Sequence, residues 1–307
     1  MKYNDLYGER MKSYEEKYDL RLEKKIPVAI RLDGKAFHTF TKGLEKPFDQ
    51  IFSASMQGTM QALCEDIQGC VFGYTQSDEI TLILIDYQNP ESSAWFDYRV
   101  QKMASVAAGL ATKYFNYFFR VLVGDIVEKN IHEGAEAAIE GITDEDISLL
   151  GEDSEEIEAL VSAAVSTSFS PYINTLLEKS DEGASFDARC FNIPREEVCN
   201  LIYWRQTDAI RNSIQACGQA TFSHKELQGK SCEEIKEMLK KGETPLDWDK
   251  DIPIYWQRGC ACHKEDYIDT IETKDGFPNI IVRTRWKIDR EMPILKGENR
   301  EYVEKWV

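Results

Sequence analysis

Two aspartates in this chain each stand where an apolar segment ends. Asp33 follows the apolar residues 26–32, and Asp78 lies 45 residues later in the turn of a hairpin predicted from residues 74–86, YTQSDEITLILID. If the two strand ends lie side by side, the carboxylates repel each other. A hard divalent cation such as Mg²⁺ relieves that repulsion, and two such ions can activate a hydroxyl nucleophile and stabilise a leaving phosphate.

Each of the two motifs also has a simpler explanation. Asp33 followed by Gly34 is a common turn signal, and the adjacent acids Asp78 and Glu79 equally suit a polar hairpin tip. The residues alone therefore leave a metal site and two ordinary turns about equally supported.

The residues around Asp33 suit phosphate chemistry. Arg31 stands just before it, and Gly34 would allow the backbone to approach a ligand. The backbone amides of residues 35–38 could bind phosphate oxygens, and Lys46 could meet a terminal phosphate as a point charge. A single lysine or histidine is as often a surface residue, so the grouping carries this interpretation.

Periodicity in the sequence predicts the helices and strands that carry these residues. Helical spacing predicts helices over residues 1–25, 48–66, 95–119, 195–217 and 231–241, the last with Ser231 and Glu234 as a capping box. Strands are predicted at 26–32, 185–192, 252–261 and 279–290, besides the hairpin. This order predicts an α+β fold in which helices cover one face of an antiparallel sheet. Without its acidic insertion, the order is close to a ferredoxin-like, polymerase-palm core.

Composition indicates a globular protein without a membrane span. The chain has 307 residues, 42% of them hydrophobic, and no apolar run of membrane-spanning length. The charged N-terminus lacks a signal segment, and the eight cysteines are scattered, so we expect a cytoplasmic protein with reduced thiols. Cys260 and Cys262 form the one close pair, for which core packing is a better explanation than a metal site.

The net charge of −17 is unevenly distributed. Residues 121–182 hold sixteen acids and two lysines, a net charge of −14, so the remainder is near neutral and a nucleic-acid partner is not excluded. We predict a palm-like catalytic domain from 1–120 and 183–222, an acidic insertion at 121–182, and a C-terminal region, 223–307, that contributes to RNA binding and oligomerisation. The insertion is expected to be inert or to bind a partner.

Six short motifs resemble the tRNA-histidine guanylyltransferase family, which includes guanylyltransferase-like proteins that repair truncated tRNA 5′ ends. The motifs are RLDGKAFHTF (31–40), KPFD (46–49), QSDE (76–79), SFDAR (185–189), YWRQTD (203–208) and ELQGK (226–230). They follow the family order from the N-terminus to about residue 260 and skip the acidic segment.

The resemblance implies a set of site residues. It implies two Mg²⁺ ions held by Asp33, the Gly34 carbonyl and Asp78, with Asp33, Asp78 and Glu79 as the catalytic acids. The residues that match nucleotide-binding positions are Asp33, Gly34, Lys35, Ala36, Phe37, His38, Lys46, Ser77 and Asp78. The basic residues assigned to RNA or phosphate are Arg31, Arg189, Arg211 and Arg258.

The resemblance also implies an activity. Nucleotides would be added in the 3′-to-5′ sense to the 5′ end of a tRNA, with ATP and GTP as substrates, by a homotetramer built as a dimer of dimers. Ile210 stands where the histidine-specific enzymes have a histidine, which favours template-dependent 5′-end repair. The alternatives are a histidine-tRNA-specific guanylyltransferase, a palm-type nucleotidyl cyclase and a non-catalytic RNA-binding protein.

Overall fold

The computed structural model describes residues 5–140, 169–272 and 278–307. Its strands are β1 (Val28–Gly34), β2 (Cys70–Gln76), β3 (Glu79–Leu84), β4 (Phe186–Asn192), β5 (Cys260–Glu272) and β6 (Pro278–Asp289). The longer helices are α1 (Asp5–Glu16), α3 (Gln50–Asp66), α4 (Val100–Glu140), α5 (Pro171–Glu182), α6 (Arg195–Thr221) and α8 (Cys232–Lys241). The short helices are α2 (Phe37–Phe40), α7 (His224–Leu227), α9 (Trp248–Asp251), α10 (Ile254–Arg258) and α11 (Glu301–Glu304).

The strands form one six-stranded sheet in the order β4-β1-β3-β2-β5-β6, and every neighbouring pair is antiparallel. The chain runs β1-α3-β2-β3-α4-β4, so the first and last strands of this unit pair with each other. The hairpin closes between Gln76 and Glu79, with Ser77 and Asp78 as its two-residue turn. The predicted α+β class and the predicted hairpin are confirmed.

The expectation that helices cover only one face of the sheet is wrong. Helices α3 and α4 cover one face, over Ile30, Leu82 and their neighbours. The first turns of α6 and the chain end, including Met292 and Val303, cover the other face. Strands β2 and β3 are accordingly buried at every position, which is the pattern of strands enclosed on both sides.

Helix α4 is longer than its sequence pattern predicted. It continues past residue 119 to Glu140, because Val123 extends its buried stripe into the core. Helix α5 packs against α4 and contributes the buried Leu176. Both ends of the predicted acidic segment are therefore part of the helical layer. Residues 141–168, with the apolar stretch 159–165, lie outside the described part of the chain.

The region before β5 also departs from prediction. Residues 254–258 form helix α10 instead of the start of a strand, and β5 begins only at Cys260. The transition is made by Gly259, whose φ of 78° and distance of 2.5 Å from its Cβ position to the Thr75 carbonyl oxygen exclude larger residues. Cys260 and Cys262 both pack in the core beneath α3, as their spacing predicted. The capping box at Ser231 and Glu234 is confirmed.

None of the helices in the described ranges is long and apolar enough to cross a membrane.

Candidate active site

The ends of β1 and of the β2–β3 hairpin are joined at the two aspartates. The Gly34 amide donates a hydrogen bond of 3.0 Å to the Asp78 carbonyl oxygen, and Asp33 stands opposite Glu79 in the β1–β3 ladder. Burial raises the pKa of the Asp78 carboxyl, and the negative charge of Asp33 raises it further. The prediction that these strand ends lie side by side is confirmed.

The donor chemistry of this pair fits a hard divalent cation. Among the described residues Asp78 has no ion pair with a basic side chain, and Asp33 meets only Arg189, whose Nη2 lies 3.8 Å from its carboxylate. Two carboxylates that share little positive charge favour an ion such as Mg²⁺. The described ranges contain no group of three or more His, Cys, Asp and Glu side chains suited to a metal, so the Gly34 carbonyl or substrate oxygens would complete the coordination.

Glu79 has a different environment from the two aspartates. It is buried, and the Arg205 Nη2 donates a hydrogen bond of 2.8 Å to its Oε2 while the Arg205 Nε lies 2.7 Å from its Oε1. The Arg31 Nε lies 3.6 Å from Oε1. Burial raises the pKa of Glu79, although the charges of Arg205 and Arg31 oppose the shift. The carboxylate of Glu79 is thus paired with two arginines, unlike the carboxylates of Asp33 and Asp78.

Arg205 connects the hairpin tip to the rest of the molecule. Its Nη2 also lies 3.0 Å from the Asp208 carboxylate. The next residue, Gln206, is fully buried, donates to the Pro293 carbonyl oxygen and accepts from the Leu295 amide, both at 2.9 Å. The YWRQTD motif therefore holds the hairpin tip and the chain end together. In the sequence this motif indicates only a family resemblance. The one physical sign of its structural role is a charged residue on the buried face of a predicted helix.

The loop after β1 makes more contacts with the rest of the fold than its sequence suggested. A Cβ atom on Gly34 would lie 2.2 Å from the ring of Phe37, so the space above this glycine is filled by that ring and not left for a ligand. The Phe37 ring is itself buried, and the Lys35 amide donates to the Ser185 carbonyl oxygen at 2.9 Å. The side chains of Lys35 and His38 are exposed.

A pocket of about 210 Å³ opens beside the hairpin tip. The loop between α2 and α3, the end of β2 and one side of α6 line it, and Lys46 and Ser77 are among its polar residues. Phe52, Met56 and Trp256 supply apolar surface. An apolar pocket with a few polar groups is the usual form of a small-molecule site. Two of the predicted nucleotide-binding residues, Lys46 and Ser77, are therefore brought together.

The four predicted RNA or phosphate arginines do not all lie at the site. Arg31 and Arg189 are opposite each other in the β1–β4 ladder, next to Asp33. Arg211 is exposed on α6 and pairs with Asp208. Arg258 is half-buried: its Nε donates a hydrogen bond of 3.0 Å to the Met292 carbonyl oxygen, and burial lowers its pKa.

Basic residues of the C-terminal region, 223–307, for which a contribution to RNA binding was predicted, are also largely paired with acids. Lys236 meets Asp249 at 2.8 Å, and Lys287 and Arg285 both meet Glu265. These pairs reduce the positive potential expected from residues 223–307.

Comparison with known proteins identifies a family of similar chains. The family model for tRNAHis guanylyltransferase (Thg1) matches residues 8–133. A bacterial tRNA(His) guanylyltransferase (Thg1)-like protein, solved in complex with ATP, is 30% identical, with a TM-score of 0.68 over 98% of this chain and 99% of that one. Its structure in complex with GTP has a TM-score of 0.64 over the same shares.

More distant relatives extend the comparison. An uncharacterized protein of Acanthamoeba polyphaga mimivirus is 27% identical over 296 residues, which are 93% of this chain and 84% of that protein. The tRNA(His) guanylyltransferase of Schizosaccharomyces pombe is 30% identical over 112 residues, which are 35% of this chain and 39% of that enzyme. A fold and a site of this kind define a nucleotidyltransferase. The chain belongs to the tRNAHis guanylyltransferase (Thg1) family.

Proposed function

We propose that this protein adds nucleotides in the 3′-to-5′ sense to the 5′ end of a tRNA, as template-dependent repair of that end. The observation that carries the proposal is the junction of β1 and the hairpin, where the ends of the strands that carry Asp33 and Asp78 lie side by side. The ATP and GTP complexes of the bacterial Thg1-like protein support the choice of ATP and GTP as substrates.

The proposed reaction has three balanced steps. An oxygen of the RNA 5′ monophosphate attacks the α-phosphorus of ATP, and pyrophosphate leaves. The 3′ hydroxyl of the incoming GTP then attacks the activated RNA phosphate, a phosphodiester bond forms, and AMP leaves. Water finally attacks the α-phosphorus of the new 5′ triphosphate, and pyrophosphate departs, which leaves the 5′ end as a monophosphate.

Two Mg²⁺ ions would be held by Asp33, the Gly34 carbonyl and Asp78; when bound, they ease deprotonation of the hydroxyl and neutralise charge on the triphosphate. Lys46 and Ser77, in the pocket beside the hairpin, would bind the triphosphate. Arg189, 3.8 Å from Asp33, would meet the RNA 5′ phosphate. Glu79 would contribute indirectly, through its ion pairs with Arg205 and Arg31.

The environment of Ile210 supports repair over addition restricted to histidine tRNA. This side chain is half-buried and packs on a cluster that includes Ile214 and Trp248. A polar histidine, which the histidine-specific pattern would require here, is absent from the sequence. We therefore propose that the base opposite the site of addition selects the nucleotide.

The finer architectural assignments belong to the same proposal. The strand order β4-β1-β3-β2 supports a polymerase-palm unit of the ferredoxin-like type. We further propose a cytoplasmic homotetramer, with residues 223–307 contributing to RNA binding and assembly. The β5–β6 ribbon supports an assembly role, because Ile268 and Val282 are paired across it and are 73% and 69% exposed.

The test combines purified protein, Mg²⁺, ATP, labelled GTP and a 5′-monophosphorylated tRNA that lacks its first nucleotide. We expect label at the RNA 5′ end, lost in Asp78→Asn and kept in Asp125→Asn, a matched change of an exposed acid on α4. Changing the template base should change the nucleotide incorporated. RNA-independent formation of a cyclic nucleotide would replace this function with that of a cyclase, and addition of G whatever the template base would replace repair with histidine-type addition.

A further inference from the structure

One large aromatic side chain stands out on the face of the sheet that carries Asp33. Trp204, on helix α6, is 53% exposed, whereas the next two residues along the helix, Arg205 and Gln206, are 7% and 0% exposed. Both of these neighbours are fixed by the hydrogen bonds to the hairpin tip and the chain end. The indole is therefore presented to solvent from a rigid base.

Two guanidinium groups lie over the indole ring. The Cζ of Arg205 is 4.4 Å from the ring centroid and the Cζ of Arg31 is 5.6 Å from it. Both are cation–π distances. Arg205 and Arg31 are in turn held by the buried Glu79. These contacts fix the orientation of the ring while half of its surface stays open.

The ring lies over the face of the sheet that carries Asp33. Arg31 and Asp33 are two residues apart on β1, so their side chains leave the same face of the sheet about 6.8 Å apart along the strand. Arg189, opposite Arg31 on β4, adds an exposed cation to this face. An open aromatic ring, a row of cations and a pair of acids thus occupy one surface.

We propose that Trp204 is a stacking platform for the 5′-terminal base of the RNA substrate. The proposal rests on the proposed function, because it names how the RNA end is positioned at the same site. Single RNA ends are commonly bound by stacking a base on an aromatic side chain, with cations on the backbone. Stacking also tolerates every base, as a repair enzyme that accepts different 5′ ends requires.

The position of the ring favours RNA over a free nucleotide as the stacked partner. The pocket that contains Lys46 and Ser77 is lined by Ala209 and Ser213 from α6, and Trp204 is not among its lining residues. That pocket is the triphosphate site of the proposed function, whereas Trp204 lies on open surface that an RNA end reaches from solvent. Trp204 is accordingly a positioning residue for RNA.

The test measures binding without chemistry. A 5′-monophosphorylated tRNA with 2-aminopurine as its 5′-terminal base is titrated with protein in Ca²⁺ and without nucleotides. We expect the aminopurine fluorescence to be quenched by the wild type. In Trp204→Leu the quenching should disappear and the Kd for this RNA should rise about 5- to 100-fold. Trp204→Phe should keep most of the affinity, because phenylalanine also stacks.

Control variants make the outcome decisive. Tyr117→Leu removes an aromatic side chain of similar exposure, 62%, on the helix that covers the opposite face, and should change neither signal. Thermal melts of all variants show whether each is folded. Unchanged quenching and Kd in a folded Trp204→Leu would overturn the proposal, as would a loss of affinity for GTP alone with RNA binding intact. Normal quenching without nucleotide incorporation by the wild type would instead refute the proposed function and leave the platform standing.

Discussion

Replacing Arg205 with methionine tests the interpretation of Glu79 most directly. Methionine keeps much of the aliphatic volume of arginine but removes the charge that faces the Glu79 carboxylate at 2.7 and 2.8 Å. Both side chains are 9% exposed. Breaking a buried ion pair by removing one partner costs about 3–5 kcal/mol, since the other charge is left uncompensated. The remaining contact with Arg31, at 3.6 Å, places our expectation near the lower end, about 3 kcal/mol.

The cost should depend on pH in a defined direction. Burial already raises the pKa of Glu79 in the folded wild type. A raised pKa favours the folded state while the carboxyl is neutral, below its usual pKa. This contribution to stability is lost as the pH rises through the folded-state pKa. Without Arg205 that folded-state pKa rises further. The difference in stability between Arg205→Met and the wild type should therefore grow as the pH rises through the raised folded-state pKa of Glu79 in the wild type, and it should level off above the still higher pKa of Glu79 in the variant.

Chemical denaturation at pH 5 and pH 7.5 is the assay, with two matched variants. Arg211→Met removes an exposed arginine from the same helix, which pairs with Asp208, and should cost less than about 0.5 kcal/mol at either pH. Arg205→Met combined with Glu79→Leu removes both buried charges and should recover most of the stability. A cost below about 1 kcal/mol at pH 7.5, or one that is independent of pH, would show that Glu79 is not held as a buried anion.

Three further predictions follow from the same structure. Asp78→Asn should raise the melting temperature at pH 7 by about 2 °C without metal, because the raised pKa of Asp78 means that the folded state disfavours its ionised form. The same change should abolish any thermal stabilisation by Mg²⁺. A lower melting temperature would contradict this prediction. Gly34→Ala should cost about 1–3 kcal/mol in denaturation, since its Cβ would lie 2.2 Å from the buried Phe37 ring, and an unchanged midpoint would show that the ring can move. Replacing residues 141–168 with a flexible linker should leave nucleotide addition within about threefold, whereas deleting 125–182 should unfold the protein, because it removes helix α5 and its buried core residues; circular dichroism separates these two results.

The sequence could predict those parts of the candidate site that are fixed by residues close together in the chain. Asp33 and Asp78 follow strands with strong apolar patterns, and the two-residue turn at Ser77 fixes where the hairpin closes. Because these features are local, their apposition at one sheet edge was predictable. The same holds for the capping box at Ser231 and Glu234, whose partners are three residues apart.

Long-range packing decided what sequence reasoning missed. Glu79 looked like a third acid at the site, and only the arrival of α6, 126 residues later, pairs it with Arg205. Gly34 looked like room for a ligand until the Phe37 ring filled that space. The guanidinium of Arg258 likewise binds a carbonyl oxygen, that of Met292, 34 residues later in the chain. None of these partners is marked by a periodic pattern.

Local sequence was sufficient to predict the six strands in their order, the hairpin with its acidic tip, and the family of this chain. Those properties depend on apolar periodicity, turn residues and short motifs, which are written in neighbouring residues. Tertiary structure alone decided that the sheet is covered on both faces, that Glu79 is held by Arg205, and that Trp204 stays open beside Asp33. The reason is physical: each of these depends on which distant surfaces meet, and a buried charge or an open ring is defined by its neighbours in space.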